Sequence, residues 1–144
     1  FVELCVDADV DGLIVPDLPY EEYDELKPLL DETNVYMIPL VALTSEDRIP
    51  MLVKESKGFV YCVSSLGVTG VRKEFDTRID SFVAKVKEAT DTPACIGFGI
   101  STKADVERFD KIADGCIVGS AIVRKIFDSK MNLDEIKAFV SSLK

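Results

Sequence analysis

The chain has 144 residues, of which 47% are hydrophobic and 30% charged, so it is long enough for one sizeable core and argues against two independent domains. Its net charge of −9 opposes nucleic-acid binding, which needs a basic face, and no apolar stretch approaches the length of a membrane span. Histidine is absent, which excludes a His-based triad and makes a zinc site improbable; no metal is expected. Phe1-Val2-Glu3-Leu4-Cys5-Val6 reads as the end of a helix with no start signal before it. Gly12-Leu13-Ile14-Val15-Pro16 is a first strand closed by the turn-like Asp17-Leu18-Pro19. Tyr20, Tyr23, Leu26, Leu29 and Leu30 then recur at helical spacing, with Glu21 and Glu22 placed where the helix dipole favours acids.

Val35-Tyr36-Met37-Ile38-Pro39 is the second strand. The helix after it turns Ile49, Leu52 and Val53 inward, and Asp47 is its expected cap because Pro50 must lie within the first turn. Phe59-Val60-Tyr61-Cys62-Val63 is the third strand, and residues 64–76 form a long aperiodic loop of the length used for lids. Thr77 is the expected cap of a helix carrying the stripe Ile79, Phe82, Val83, Val86 and Ala89. Ala94-Cys95-Ile96 is the fourth strand, followed from about residue 102 by a helix burying Val106 and Phe109. Cys116-Ile117-Val118 is the fifth. After it come an amphipathic segment (Ile122, Val123, Ile126, Phe127) and a last helix capped by Asn132, with Leu133, Ile136, Phe139, Val140 and Leu143 facing inward.

Cys62, Cys95 and Cys116 sit inside apolar strands, Cys5 lies in the first helical segment, and no C-x-x-C occurs. Reduced thiols of a cytoplasmic protein are the expectation. Apolar, unalternating strands that each lead into a helix describe an α/β fold with a parallel sheet covered by helices. A doubly wound sheet and a barrel both satisfy this order. The end of the chain favours the barrel: Gly97-Phe98-Gly99-Ile100-Ser101 and Gly119-Ser120-Ala121 are glycine-bearing tips of the last two strands. Barrels commonly hold a phosphate there, on backbone N–H groups and a helix start. A (β/α)8 TIM barrel needs about 250 residues, so this chain holds about five βα units, expected to be strands 4–8 in one domain.

Four segments, in order, carry a specific resemblance: Asp11-Gly12-Leu13-Ile14-Val15-Pro16-Asp17-Leu18-Pro19-Tyr20-Glu21-Glu22, Gly67-Val68-Thr69-Gly70, Gly97-Phe98-Gly99-Ile100-Ser101 and Gly119-Ser120-Ala121-Ile122-Val123. Together they resemble the tryptophan synthase α subunit, from before barrel strand 4 to the last helix. The resemblance implies a lyase of tryptophan biosynthesis that cleaves indole-3-glycerol phosphate to indole and glyceraldehyde 3-phosphate. It works with a β subunit, which holds the pyridoxal phosphate; no cofactor is expected in this chain.

Carried over position by position, the resemblance implies that Gly70, Gly99, Gly119 and Ser120 bind the substrate phosphate. It implies that Tyr61, Phe98 and Ile117 line the indole pocket and that Thr69 belongs to the lid. It places Asp17 and Pro19 at the β-subunit interface. The family's catalytic Glu and Asp lie in a Pro-x-Ser-Asp-Pro-like segment that nothing in residues 1–144 matches. Two other readings stay open: a sugar-phosphate isomerase or epimerase, for which Asp17 is the available carboxylate, and a catalytically silent phosphate-binding fragment. The strand edges at residues 12–16 and 115–118 are apolar and lack discouraging charges, so self-association is expected.

Overall fold

The computed structural model describes residues 1–64 and 78–144. The elements run in chain order as α1 (Val2–Asp7), β1 (Gly12–Leu13), α2 (Lys27–Asp31), β2 (Tyr36–Met37), β3 (Leu40–Ala42), α3 (Ile49–Val53), β4 (Val60–Val63), α4 (Ile79–Ala89), β5 (Ala94–Gly97), α5 (Lys103–Phe109), β6 (Gly115–Cys116), α6 (Ser120–Asp128) and α7 (Leu133–Ser142). All strand pairs are parallel, β1 with β2 and then β3-β4-β5-β6 in sequential order. A doubly wound sheet would reverse its order at a switch point. Here each strand pairs with its predecessor, save β3, which continues the segment of β2, and this is the order of a barrel arc.

The expected second strand, 35–39, is divided in two. The N–H groups of Tyr36 and Ile38 donate to Asp11 and Leu13 at 2.9 Å, whereas the carbonyl of Pro39 accepts from Tyr61 N–H at 2.9 Å. The segment therefore changes partners at Pro39, the one residue that has no N–H to give. Two cores follow from this division. Val2, Cys5, Leu30 and Val35 form a small cluster, and a larger one gathers Val41, Val60, Cys62 and Ile96 against Ile49, Val53, Phe82, Val83, Val86 and Phe109. A crevice of about 260 Å³, lined by Leu18, Tyr23, Met37 and Leu52, lies near the junction. Arg48–Glu21 and Lys27–Glu55 ion pairs also join the two parts, and being exposed they add little.

Register explains which side chains meet the helices. Val41, Cys62, Ile96 and Cys116 form one row across the sheet and pack in the larger core. Leu40, Tyr61, Cys95 and Gly115 form the neighbouring row on the opposite face and stay half-buried. Among the described residues helices thus cover one face only; the other is the inner face of the arc.

Several local expectations are corrected. The segment expected as one helix from Tyr20 is a 3-10 turn (Tyr20–Glu25) followed by α2, because Pro28 in the first turn of α2 cannot donate back to the preceding turn. Leu30 is buried, but Leu29 is 55% exposed beside the α1–α2 cleft and Tyr20 is at the surface. Asp47 caps nothing: the extended residue is Ala42, a 3-10 turn (Leu43–Arg48) follows it, and α3 grows out of that turn with Pro50 in its first turn. α4 starts at Ile79 with the expected buried stripe, while Thr77 lies outside the described residues. In α6 and α7, Val123, Phe127, Leu133 and Val140 are exposed; Leu143 is buried, and Ile136 and Phe139 are half-buried.

Candidate functional site

The ends of β4, β5 and β6 emerge side by side. Val63 pairs with Gly97 and Ile96 with Cys116, and the Ile117 N–H donates to the Ile96 carbonyl at 2.7 Å. Beyond β5 the chain turns through two left-handed residues, Phe98 at φ 75° and Gly99 at φ 83°. Glycine adopts that conformation freely, whereas a phenylalanine there is strained by about 1–3 kcal/mol and persists only where its surroundings hold it. They do hold it: the Phe98 ring meets Tyr61 edge-on, with centroids 5.9 Å apart and planes at 69°. Tyr61 in turn lies across Gly97, where a Cβ would sit 2.5 Å from its Cε1. Burial pushes the Tyr61 hydroxyl above its ordinary pKa.

The β4 tip supplies a further tie. Ser64 is 1% exposed, and its hydroxyl lies 2.7 Å from the Gly97 carbonyl and 2.5 Å from that of Phe98. The Ser64 N–H also donates to Gly97 O at 3.1 Å. The sequence reading placed Ser64 at the start of the lid loop and gave Gly97 no site role; Ser64 is instead buried and tied to the β5 tip. The available signals were a small polar residue closing the apolar run Val60-Tyr61-Cys62-Val63 and the first glycine of Gly97-Phe98-Gly99.

Two helices begin beside these tips, and their N-termini differ. In α5 the Thr102 side chain accepts from Asp105 N–H, and Asp105 Oδ2 accepts from Thr102 N–H at 2.8 Å and Ser101 N–H at 3.0 Å. That start is closed by its own side chains. Burial works against ionisation of Asp105, but these hydrogen bonds outweigh it and hold the carboxyl below its ordinary pKa. At α6 the preceding residue is Gly119, and among the described residues no side chain caps the helix. Gly119 has φ −104°, and a Cβ there would meet nothing within 4 Å among the described residues. Neither backbone conformation nor packing requires glycine at this position. What its bare Cα preserves is open space before the first turn of α6, where Gly119 and Ser120 border a shallow cleft with Val123 and Arg124.

Of the candidates, Tyr61, Phe98, Gly99, Ile117, Gly119 and Ser120 are thus gathered on neighbouring strand ends, with Ile117 half-buried. Gly70 and Thr69, with the rest of the expected lid after Ser64, lie outside the described residues. Asp17 and Pro19 stand apart, exposed in the turn after β1, where Leu18 N–H donates to Val15 O at 3.2 Å. All four cysteines are free. Burial, with Cys95 and Asp114 nearby, pushes the Cys62 thiol up to about 12, and burial with Asp110 nearby takes Cys116 to about 11. These are poor nucleophiles. Among the described residues no group of His, Cys, Asp and Glu could hold a metal ion, and no helix is long and apolar enough to cross a membrane.

A family described as tryptophan synthase alpha chain matches residues 1–144. The tryptophan synthase alpha chain of Bacillus thuringiensis (strain Al Hakam) is 49% identical over 145 residues, covering 100% of this chain and 55% of its own length. Among solved structures, the tryptophan synthase alpha subunit of Campylobacter jejuni superposes with a TM-score of 0.83 at 34% identity, over 100% of this chain and 58% of that one. A chain from the tryptophan synthase α2β2 complex of Pyrococcus furiosus gives a TM-score of 0.84 at 29% identity, over 99% of this chain and 59% of that one. The chain therefore spans about half the length of the relatives it matches, and the sequential parallel strands are a part of their barrel. Matched along its whole length, the chain belongs to the tryptophan synthase alpha chain family.

Proposed function

We propose that this chain supplies the phosphate grip and one wall of the indole pocket for the retro-aldol cleavage of indole-3-glycerol phosphate to indole and glyceraldehyde 3-phosphate. The observation that carries this reading is the start of α6 behind Gly119, which no side chain of the described residues caps or obstructs, next to the left-handed Phe98–Gly99 tip of β5. Main-chain N–H groups of Gly99, Gly119 and Ser120 hold the phosphate dianion, favoured by the positive end of the α6 dipole. Thr69 and Gly70, by family resemblance, complete the enclosure. Tyr61, Phe98 and Ile117 offer flat apolar surface to the indole ring, as expected of a pocket that orients its ligand with few polar groups.

The bond that breaks joins indole C3 to the glycerol chain. The neighbouring hydroxyl loses its proton and becomes the aldehyde, while C3 gains a proton. Both transfers need positioned acid–base groups. In this reading they are carboxylates from the part of the relatives' length that this chain does not span. Phosphate binding, remote from the breaking bond, fixes the substrate so that those transfers occur in one geometry. Asp17 and Pro19 form part of the surface that meets a β subunit, which would hold the pyridoxal phosphate. The isomerase reading draws no support, since Asp17 is an exposed residue in the turn after β1, at the other end of the strand order from β5 and β6.

The test is indole release from indole-3-glycerol phosphate. The chain alone should bind without turnover, and the same chain joined behind the upstream part of the B. thuringiensis relative should cleave. Cleavage by residues 1–144 alone, or a folded but inactive joined chain, would contradict the proposal.

A further inference from the structure

We infer that Ser64 is a positioning residue: by clamping the Gly97 and Phe98 carbonyls it holds the Phe98–Gly99 turn in the left-handed form that aims the Gly99 N–H at the phosphate. The inference rests on the phosphate reading above. Ser64 is the one polar side chain in the buried set of the described residues, so its hydroxyl sits where an unmade hydrogen bond is expensive. Its single proton is shared between two carbonyls, 2.7 and 2.5 Å away, on the residues that enter the turn. Gly97 O has a second donor in the Ser64 N–H at 3.1 Å, whereas Phe98 O has the hydroxyl as its partner. The clamp therefore acts chiefly on Phe98, the strained member at φ 75°. A peptide plane that rotates there carries the next N–H, that of Gly99, with it. Packing against Tyr61 locates the Phe98 ring but leaves this plane free to tilt.

The role differs from that of Gly99, Gly119 and Ser120. Ser64 touches no ligand in this account and acts through the turn that follows β5. Because it also ends β4, one hydroxyl couples the tips of two adjacent strands.

Amide and Cα NMR signals of the full chain, with and without glycerol 3-phosphate, test the inference. In Ser64→Ala the Phe98 Cα and Gly99 amide signals should move away from their left-handed positions before any ligand is added. Affinity for glycerol 3-phosphate should then fall about tenfold, or about 1.4 kcal/mol, with Gly119 and Ser120 still responding. Ser64→Thr, which keeps the hydroxyl, should restore both signals and affinity. Unmoved Phe98 and Gly99 signals in Ser64→Ala would overturn the inference whatever the affinity. A loss spread over the whole spectrum and not restored by Ser64→Thr would overturn it too, by making Ser64 a general packing residue. If the unaltered chain binds no phosphate, the functional reading fails, while the Phe98 and Gly99 signals still decide what Ser64 does.

Discussion

A methyl group on Gly97 would enter the Tyr61 ring, whereas one on Gly119 would enter open space. The two glycines therefore serve different ends. Gly97→Ala should destabilise the chain by about 1–3 kcal/mol, the usual effect of overpacking, and displace Tyr61 and with it the Phe98 ring. Gly97→Ala combined with Tyr61→Ala should cost less than the sum of the single changes, a coupling measured by a denaturation cycle. Additive effects would show that the ring does not rest on Gly97. Gly99 is left-handed at φ 83° and Gly119, at φ −104°, is not, although the sequence singled out both as glycines at strand tips. The sequence did not reveal Gly97, whose need comes from a tyrosine on the neighbouring strand, nor Ser64, whose partners are backbone carbonyls more than thirty positions away. Contacts between strands leave no periodic trace in either strand alone.

At the level of single elements, polar caps were legible and proline effects only partly so. Asn132 caps α7 as expected, its Oδ1 accepting from Asp134 N–H at 3.1 Å and Glu135 N–H at 3.3 Å. The expected start of α5 at about residue 102 is Thr102, closed by a capping box. Pro28 and Pro39 divided segments that apolar spacing had joined, and a 3-10 turn took the place of the Asp47 cap. Hydrophobic period reports which side faces inward, not where a missing N–H interrupts the ladder. The α5 cap has a consequence for acid stability. Asp105 is held below its ordinary pKa of 3.8 and so stabilises the fold above that value. The contribution is lost as pH falls from about 3.8 through the lower folded value. Urea midpoints at pH 6 and pH 3 should therefore differ less in Asp105→Asn than in the unaltered chain. An equal difference would remove Asp105 from the acid response.

Over the whole molecule, a parallel sheet covered by helices was legible from strands that lead into helices, and the sequential strand order then separates a barrel arc from a doubly wound sheet. Exposure was harder to foresee. Phe1 at 75%, Leu4 at 69%, Val123 at 65% and Phe127 at 83% are apolar side chains at the two ends of the chain that the described residues leave at the surface. Among the described residues β1 and β6 each pair on one side only. Unprotected parallel edges flanked by such side chains should associate. Light scattering of residues 1–144 should give a mass above the monomer's 15.9 kDa that rises with concentration. A constant monomer mass would show the edges to be protected.

The phosphate grip is decided most directly by titrating the ¹⁵N-labelled chain with glycerol 3-phosphate and following backbone amides. The amides of Gly99, Gly119 and Ser120 should move on one saturation curve with one Kd. Gly119→Ala, whose methyl meets no neighbour within 4 Å among the described residues, should weaken that Kd without altering stability. Separate curves, or an undiminished affinity in Gly119→Ala, would mean that the two strand tips do not share an anion.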